Sequence, residues 1–332
     1  MGNPLHSLSQ KGENGMSKYI FKRVLLLIPV IVCVSLIIFL LMHMVQGDPA
    51  RMLVGLEATE EQYQAKRAEL GLDEPLLNQM GKFLSDLFFH FELGTSYMTK
   101  MPIAKEIGPR LQRTLYLGLI GVSFAMITGL LLGIAAATHM GKWQDSLCMI
   151  LALIGVSMPT FWLALMLVLL FAVQLRWFPP SGIGGIEYMV LPALSVGIHG
   201  MATFARQIRS SMLDVIRADY VTTARSKGLT RREVIYKHAL PNALIPVITV
   251  IGSFLGSMLA GSIVIETIFS IPGTGVYMVT AINNRDYPVV QSCVVILSII
   301  FCVVMLLVDL TYALIDPRIK ARYASGKRGQ KA

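Results

Sequence analysis

Charge is what this sequence has least of. Of its 332 residues only 15% are Asp, Glu, Lys or Arg, against 54% hydrophobic, and the mean hydropathy is +0.62. A water-soluble domain carries about a quarter charged residues, so the deficit excludes an ordinary soluble protein and points to the bilayer as solvent. Cysteine is nearly as scarce. The four copies, Cys33, Cys148, Cys293 and Cys302, lie in or beside apolar runs without Cys-x-x-Cys spacing, which favours packing over a disulfide framework or a metal cluster. No Gly-x-x-x-x-Gly-Lys-[Ser/Thr] phosphate cradle occurs, so the sequence offers no P-loop nucleotide site. His-Glu-x-x-His and Gly-x-Ser-x-Gly are missing too, and with them the usual grounds for an intramembrane enzyme. Tandem repeats are absent, as are the paired intramembrane acids of an ion-driven secondary transporter.

What the sequence has is apolar length. Six runs stand out: Val24–Val45, Leu115–Ala137, Leu147–Gln174, Met189–Ala205, Ala243–Ile265 and Val289–Val308. A bilayer-crossing helix needs about 20 residues, with roughly 17–25 tolerated. Unbroken apolar segments favour helices over a transmembrane barrel. The expected fold is therefore an all-α polytopic membrane protein of six transmembrane helices. The third run contains Pro159 and should be tilted or kinked. The first is too long for a cleaved signal peptide and is followed by QGDP, so it reads as a retained anchor within residues 18–45. Residues 1–17 read as a disordered tail and 316–332 as a basic one.

Six crossings put both termini on one side. That side holds 19 of the 29 Lys and Arg, and the net charges of the two sides are +12 and −3. The positive-inside rule makes the terminus side cytoplasmic. This topology accounts for the basic pI without nucleic acid. Residues 46–113 form an extracytoplasmic segment. Within it, ATEEQYQAKRAELGL reads as a helix ended by Gly71, and EPLLNQMGKFLSDLFFHF as an amphipathic one. Residues 114–315 hold the remaining five crossings. Across their outer loops, ETIFSIPGTG has turn chemistry and VYMVTAINNRDYP reads as a short helix stopped before Pro288.

One polar stretch, DYVTTARSKGLTRREVIYKHALP, lies stranded between the fourth and fifth runs, within a cytoplasmic loop 211–241. Asp219 can cap a short helix that Gly228 ends in the left-handed conformation. Thr230-Arg-Arg-Glu233 is a capping box that opens the next helix. Pro241 is placed to start the fifth crossing. Tyr220, Thr223, Ala224 and Lys227 share a face, small enough at 223 and 224 to admit a partner backbone. A solvated loop explains the charge equally well; it does not explain a small-residue face with a hinge.

That stretch resembles the coupling (EAA) motif of ABC-importer permeases. Thr222-Thr223-Ala224, Gly228 and Leu240-Pro241 stand at its spacing, with threonines in place of the glutamate and first alanine. KYIFKRVLLLIPV, LGLDEPLLNQ, LPALSVG, ARQIRSSMLDVIRADYVTTARSKGL, ETIFSIPGTG, AINNRDYPVVQ and VDLTYALIDPRI follow in family order. Nearly the whole chain is thus similar to the dipeptide/oligopeptide/nickel permease family. The resemblance implies a type I importer fold with a cytoplasmic coupling helix in a bacterial inner (plasma) membrane. It implies half a membrane pathway, paired with a second related permease and served by an extracytoplasmic binding protein. Two cytoplasmic ATPases would bind ATP and Mg, leaving this chain without a cofactor of its own. Asp219, Thr222, Thr223, Ala224, Arg225, Lys227, Gly228, Leu240 and Pro241 would couple to those ATPases. Peptide is the favoured cargo, with nickel, a metallophore or glutathione as alternatives.

Other residues invite local readings. Gly129-x-x-x-Gly133 and Gly252-x-x-x-Gly256 permit close helix contact. Ser253, Ser257, Met258, Gly261 and Glu266 are candidates for the substrate pathway, with helix packing the competing reading. Glu266 reads equally well as an anchor for the 266–288 loop. Asp309 reads as an ion-pair partner for the basic residues at 318 and 320, and His199 as a hydrogen-bonded packing histidine.

Overall fold

The computed structural model describes residues 4–55 and 57–315, with the side chains of 4–20, 22, 259–261 and 312–315 outside that description. Among these residues helix is nearly universal, and the β structure is one isolated bridge between Thr95 and Pro102. The helices are α1 (Pro4–Met44), α2 (Pro49–Val54), α3 (Glu60–Glu69), α4 (Leu76–Ser85), α5 (Ile103–Thr138), α6 (Trp143–Ser157) and α7 (Thr160–Leu167). They continue as α8 (Glu187–Ile216), α9 (Asp219–Ser226), α10 (Arg231–Glu233), α11 (Leu240–Ala243), α12 (Ile245–Ile268), α13 (Thr274–Asn283) and α14 (Tyr287–Ile315). Wider π turns extend α4 through His90, α7 through Gln174 and α10 through Ala239.

Four helices are long and apolar enough to cross a membrane: Arg23–Met44 within α1, then α5, α8 and Tyr287–Thr311 of α14. Two bent pairs raise the number to six when each counts as one span. Trp143–Ser157 and Thr160–Gln174 meet at 102°, so the expected kink at Pro159 is a full break. Met158 is extended there, at φ −80° and ψ 129°. A proline disfavours the helical region for the residue before it and also removes a backbone donor. The second pair, Arg231–Ala243 and Ile245–Met258, bends by 50°. Pro241 lies in α11, and Pro246 opens α12. The fifth crossing accordingly starts one proline later than its sequence suggests.

Helix boundaries differ from the sequence expectation elsewhere. The tail expected to be disordered is helical from Pro4, because extending an existing helix adds one hydrogen bond per residue fixed. α5 begins at Ile103, so its first turns belong to the stretch expected as extracytoplasmic loop. α8 continues past Ala205 to Ile216, about 45 Å at 1.5 Å per residue, well beyond the bilayer's apolar thickness. Residues 316–332 lie outside the described residues.

The most extensive helix pairing sets α5 against α8. Glycines make it possible. A Cβ on Gly129 would stand 2.7 Å from the Cβ of Phe204, and one on Gly133 2.7 Å from the Cβ of Ile208 and 2.8 Å from the Ala205 carbonyl. With lipid on the outside, such contact depends on dispersion and backbone proximity, which small residues maximise. Gly252 and Gly256 serve α12 in the same way, against Val308 and Phe301 of α14. Gly133→Val should cost about 1–3 kcal/mol of overpacking. The check is a lowered unfolding temperature in detergent; an unchanged temperature would mean that α5 and α8 can separate freely.

Candidate coupling surface and its supports

The polar stretch folds into a knuckle. α9 is a two-turn helix, and its N-cap is Ala218, with no side-chain cap, so Asp219 sits in the first turn instead. There its carboxylate meets the positive end of the helix dipole. Gly228 has φ +78°, and its N–H donates to the Arg225 carbonyl at 3.0 Å. Thr230 and Glu233 then form a reciprocal capping box. Glu233 is held below the usual carboxylate range, first by the Thr230 hydroxyl and backbone and then by Lys237.

The two faces of α9 are set apart by burial. Val221 is fully buried and Ala224 is 6% exposed, both packed with Val234 and half-buried Val215. Ala224 therefore glues α9 to the rest of the knuckle and does not stand on the face offered outward. The outward face is Tyr220, Thr222, Thr223, Arg225, Ser226 and Lys227, with Gly228 exposed at the turn. Thr223 and Ser226 turn their hydroxyls back onto the Asp219 and Thr222 carbonyls, at 3.0 and 3.1 Å. Leu240 is half-buried and Pro241 exposed at the far end.

One further link ties this knuckle to the bundle and two more brace the helices beside it, and sequence reading missed them all. Arg231 donates to the Thr138 carbonyl at the C-terminus of α5, at 2.6 Å. Arg209 of α8 makes a two-pronged pair with Asp145 at 2.6 and 2.8 Å. Asp145 also accepts from the Gly141 N–H at 3.1 Å, pinning the α5–α6 turn. In the sequence these residues are simply members of a positive-inside population. Nothing local marks a pair 64 residues apart.

On the opposite side two buried carboxyl groups organise the loops. Glu266 is completely buried. It accepts from the Thr114 hydroxyl at 2.7 Å, the Ser262 hydroxyl at 3.1 Å and the Val276 N–H at 3.1 Å. The Thr114 oxygen accepts in turn from the Thr274 N–H at 2.9 Å. A Cβ on Gly273 would sit 2.3 Å from this carboxyl group, which explains the glycine-rich SIPGTG turn. Glu266 thus anchors the loop and is sealed away from any pathway. Asp286 is 3% exposed and accepts from the Ser96 hydroxyl and the Tyr97 N–H, closing the LGTSYMTKMP connection.

The other pathway candidates divide. Met258 is buried between α5 and α12, its methyl group near Gly118 and Gly121. Ser253 and Ser257 are exposed, with hydroxyls bonded to the Thr249 and Phe254 carbonyls. Gly261 is helical and otherwise outside the described side chains. Asp309 pairs with Arg23 of α1 at 2.9 Å, and its expected partners at 318 and 320 lie outside the described residues. His199 was expected to be hydrogen-bonded, yet its buried Nδ1 has no partner among the described residues.

This α-helical bundle with its exposed, glycine-hinged knuckle carries the sequence of a known family. Residues 129–321 match the binding-protein-dependent transport system inner membrane component, and residues 16–118 match the N-terminal part of such membrane components. The chain belongs to that family. The permease is 43% identical to the dipeptide transport system permease protein DppB of Alkalihalophilus pseudofirmus, over 92% of this chain and all of that one. It is 40% identical to the glutathione transport system permease protein GsiC of Escherichia coli, over 92% and 99% of the two chains. Its fold is similar to that of the inward-facing MetNI methionine ABC transporter, at TM-score 0.55 and 16% identity, covering 64% of this chain and 98% of that one. The permease is accordingly a transport subunit of the inner membrane and not a catalytic chain.

The permease's segment before α5 is tied by its own ionic hub. Asp48 caps α2 through the Ala50 N–H at 2.8 Å and accepts from the Tyr63 hydroxyl at 2.6 Å and from Arg67. Burial raises the Asp48 pKa, but Tyr63, Ala50 and Arg67 together bring it below its ordinary 3.8. A depressed carboxylate contributes stability that is complete above the unfolded pKa and lost as pH falls through the folded one. Protection from hydrogen exchange across residues 46–74, taken relative to the intrinsic rate at each pH, should therefore be high at neutral pH and fall below about pH 4. Asp48→Asn should show the low protection already at pH 7. An identical profile for both would remove Asp48 as the organiser.

Proposed function

We propose that this permease forms half of the membrane pathway of an ATP-driven importer of short peptides. Both termini face the cytoplasm, as the positive-inside count supports. Its partners are a second, related permease, two cytoplasmic ATPases that bind ATP and Mg, and an extracytoplasmic binding protein that delivers the solute. The observation that carries this reading is the outward face of α9, with Gly228 exposed at its turn. It is a short, rigid, polar surface on the cytoplasmic side of a chain with no nucleotide cradle.

In this reading Thr222, Thr223, Arg225 and Lys227 enter a groove on an ATPase, while Ala224 and Val221 hold the knuckle together behind them. Closure of the ATPases on nucleotide displaces the knuckle. Because α8 runs without a break from bilayer to knuckle, that displacement reaches the α5–α8 core as rigid-body movement. Ser253 and Ser257 on α12, exposed and weakly polar, suit a pathway wall that grips no cargo tightly. The short-peptide cargo rests on the dipeptide relative. The glutathione relative supports a second reading, a modified tripeptide, with the same machinery.

The test is uptake of labelled dialanine and of glutathione into proteoliposomes holding the complete transporter with its binding protein. ATP-dependent accumulation of dialanine supports the leading reading. Accumulation of glutathione alone would replace it with the second. Cross-linking from Thr223 should trap an ATPase; failure to do so in an active complex would sink the assignment of the coupling face.

A further inference from the structure

The knuckle joins the bundle covalently at both ends, through α8 and through α11 into α12. A further, non-covalent link runs through Arg231. This residue opens α10 immediately after the Thr230 cap and reaches 2.6 Å to the Thr138 carbonyl. Thr138 is the last residue of α5, where carbonyls lack an intrahelical partner and the dipole attracts a cation. Past it, the turn at Gly141, φ +74°, is fastened by its N–H to Asp145. Asp145 is 6% exposed and belongs to α6. Its pair with Arg209 closes the circuit back to α8. α6 in turn leads to the 102° break, beyond which Ala164 of α7 is buried in the core with Met258 of α12.

We infer that Arg231 is a positioning residue that relays movement of the knuckle to the α5–α6 turn and so to the broken span α6–α7. The inference rests on the proposed function, because it needs an ATPase to displace α9. It adds a non-covalent path with its own moving part. α8 carries displacement along a continuous rod, whereas Arg231 pulls on a turn that can rotate about Gly141. The contact suits this task because it is charge-assisted, directional and exposed, so it can break and re-form without leaving a group buried and unpaired. The small packed cluster of Val221, Ala224 and Val234 makes α9 and α10 one body, which lets a push on α9 arrive at Arg231 undiminished.

The experiment uses the complete reconstituted transporter with binding protein, comparing wild type, Arg231→Ala and Arg231→Lys. Two ratios are read: stimulation of ATP hydrolysis by loaded binding protein, and peptide imported per ATP. Arg231→Ala should assemble with its ATPases and keep basal hydrolysis, while both ratios fall about tenfold, the size of one charge-assisted hydrogen bond. Arg231→Lys, which restores a cation at the same carbonyl, should recover much of the loss. Should alanine impair assembly, Arg231→Gln substitutes for it and the same ratios decide. Wild-type ratios in the alanine or glutamine variant would overturn the inference. So would loss of ATPase co-purification in both, since Arg231 would then be a docking contact. A wild-type complex that imports nothing on ATP would instead sink the functional reading itself, and this inference with it.

Discussion

Glu266→Ala is expected to lower the yield and the unfolding temperature of the permease. The substitution removes the acceptor shared by the hydroxyls of Thr114 and Ser262 and the Val276 N–H, at a residue with no exposure to solvent. Each buried donor left without a partner costs about 1–3 kcal/mol. The Thr114 hydroxyl can turn to the Arg110 carbonyl at 3.3 Å, so the Val276 N–H bears the main loss, a sizeable fraction of the about 5–15 kcal/mol that stabilises an ordinary domain. Glu266→Gln should be milder, because its amide oxygen still serves Thr114 and Ser262 and only the Val276 N–H meets a donor. The check is the monodisperse yield and unfolding temperature of both variants in detergent. Equal, wild-type behaviour of the alanine variant would show that the hub contributes nothing. Thr114→Val offers an independent look at the same hub, since it deprives the Thr274 N–H of its acceptor as well.

Gly228→Val should fold, insert and fail to couple. At φ +78° an L side chain costs about 1–2 kcal/mol, more for a β-branched residue. No atom lies within 4 Å of where the new Cβ would stand, so the penalty is conformational and a clash contributes nothing. The strain is relieved when the turn reopens, which swings α9 away from α10 and changes the angle at which its outward face meets an ATPase. A strain of that size alters the population of the docking-competent turn by a factor of roughly 5–30, and uptake should fall in proportion. Gly228→Asn is the control, since asparagine tolerates the left-handed region, and it should retain most of the uptake. A valine variant with full uptake and wild-type ATP stimulation would show that the turn angle is irrelevant to coupling.

The knuckle shows why its individual parts were legible in advance. Gly228 was readable because one residue type dominates the left-handed helix end, and the Thr230–Glu233 box because both of its bonds span three residues. The facing of Ala224 was not, since a helix wheel shows which residues share a side and not which side meets the bundle. The same limit applies to Met258 and Glu266. A small residue, a flexible thioether and an acid on one apolar helix fit a pathway wall, and equally a buried seam and a loop anchor. Only the approach of α5 and of the SIPGTG turn separates these readings. Asp145 and Arg209 lay among ordinary charges because their meeting depends on how α6 and α8 pack, which no window of sequence contains.

Apolar length, the scarcity of charge and the basic bias of one side came from the chain itself. They fix which segments enter lipid, since that choice depends on transfer free energy summed along a segment. The 102° break, by contrast, has a local cause in Pro159 but takes its angle from the neighbours that α7 meets. Which glycines face a neighbouring helix, which carboxyl groups are sealed and where Arg231 lands all depend on atoms distant in the chain. Such contacts form only once helices pack, and packing alone decided them.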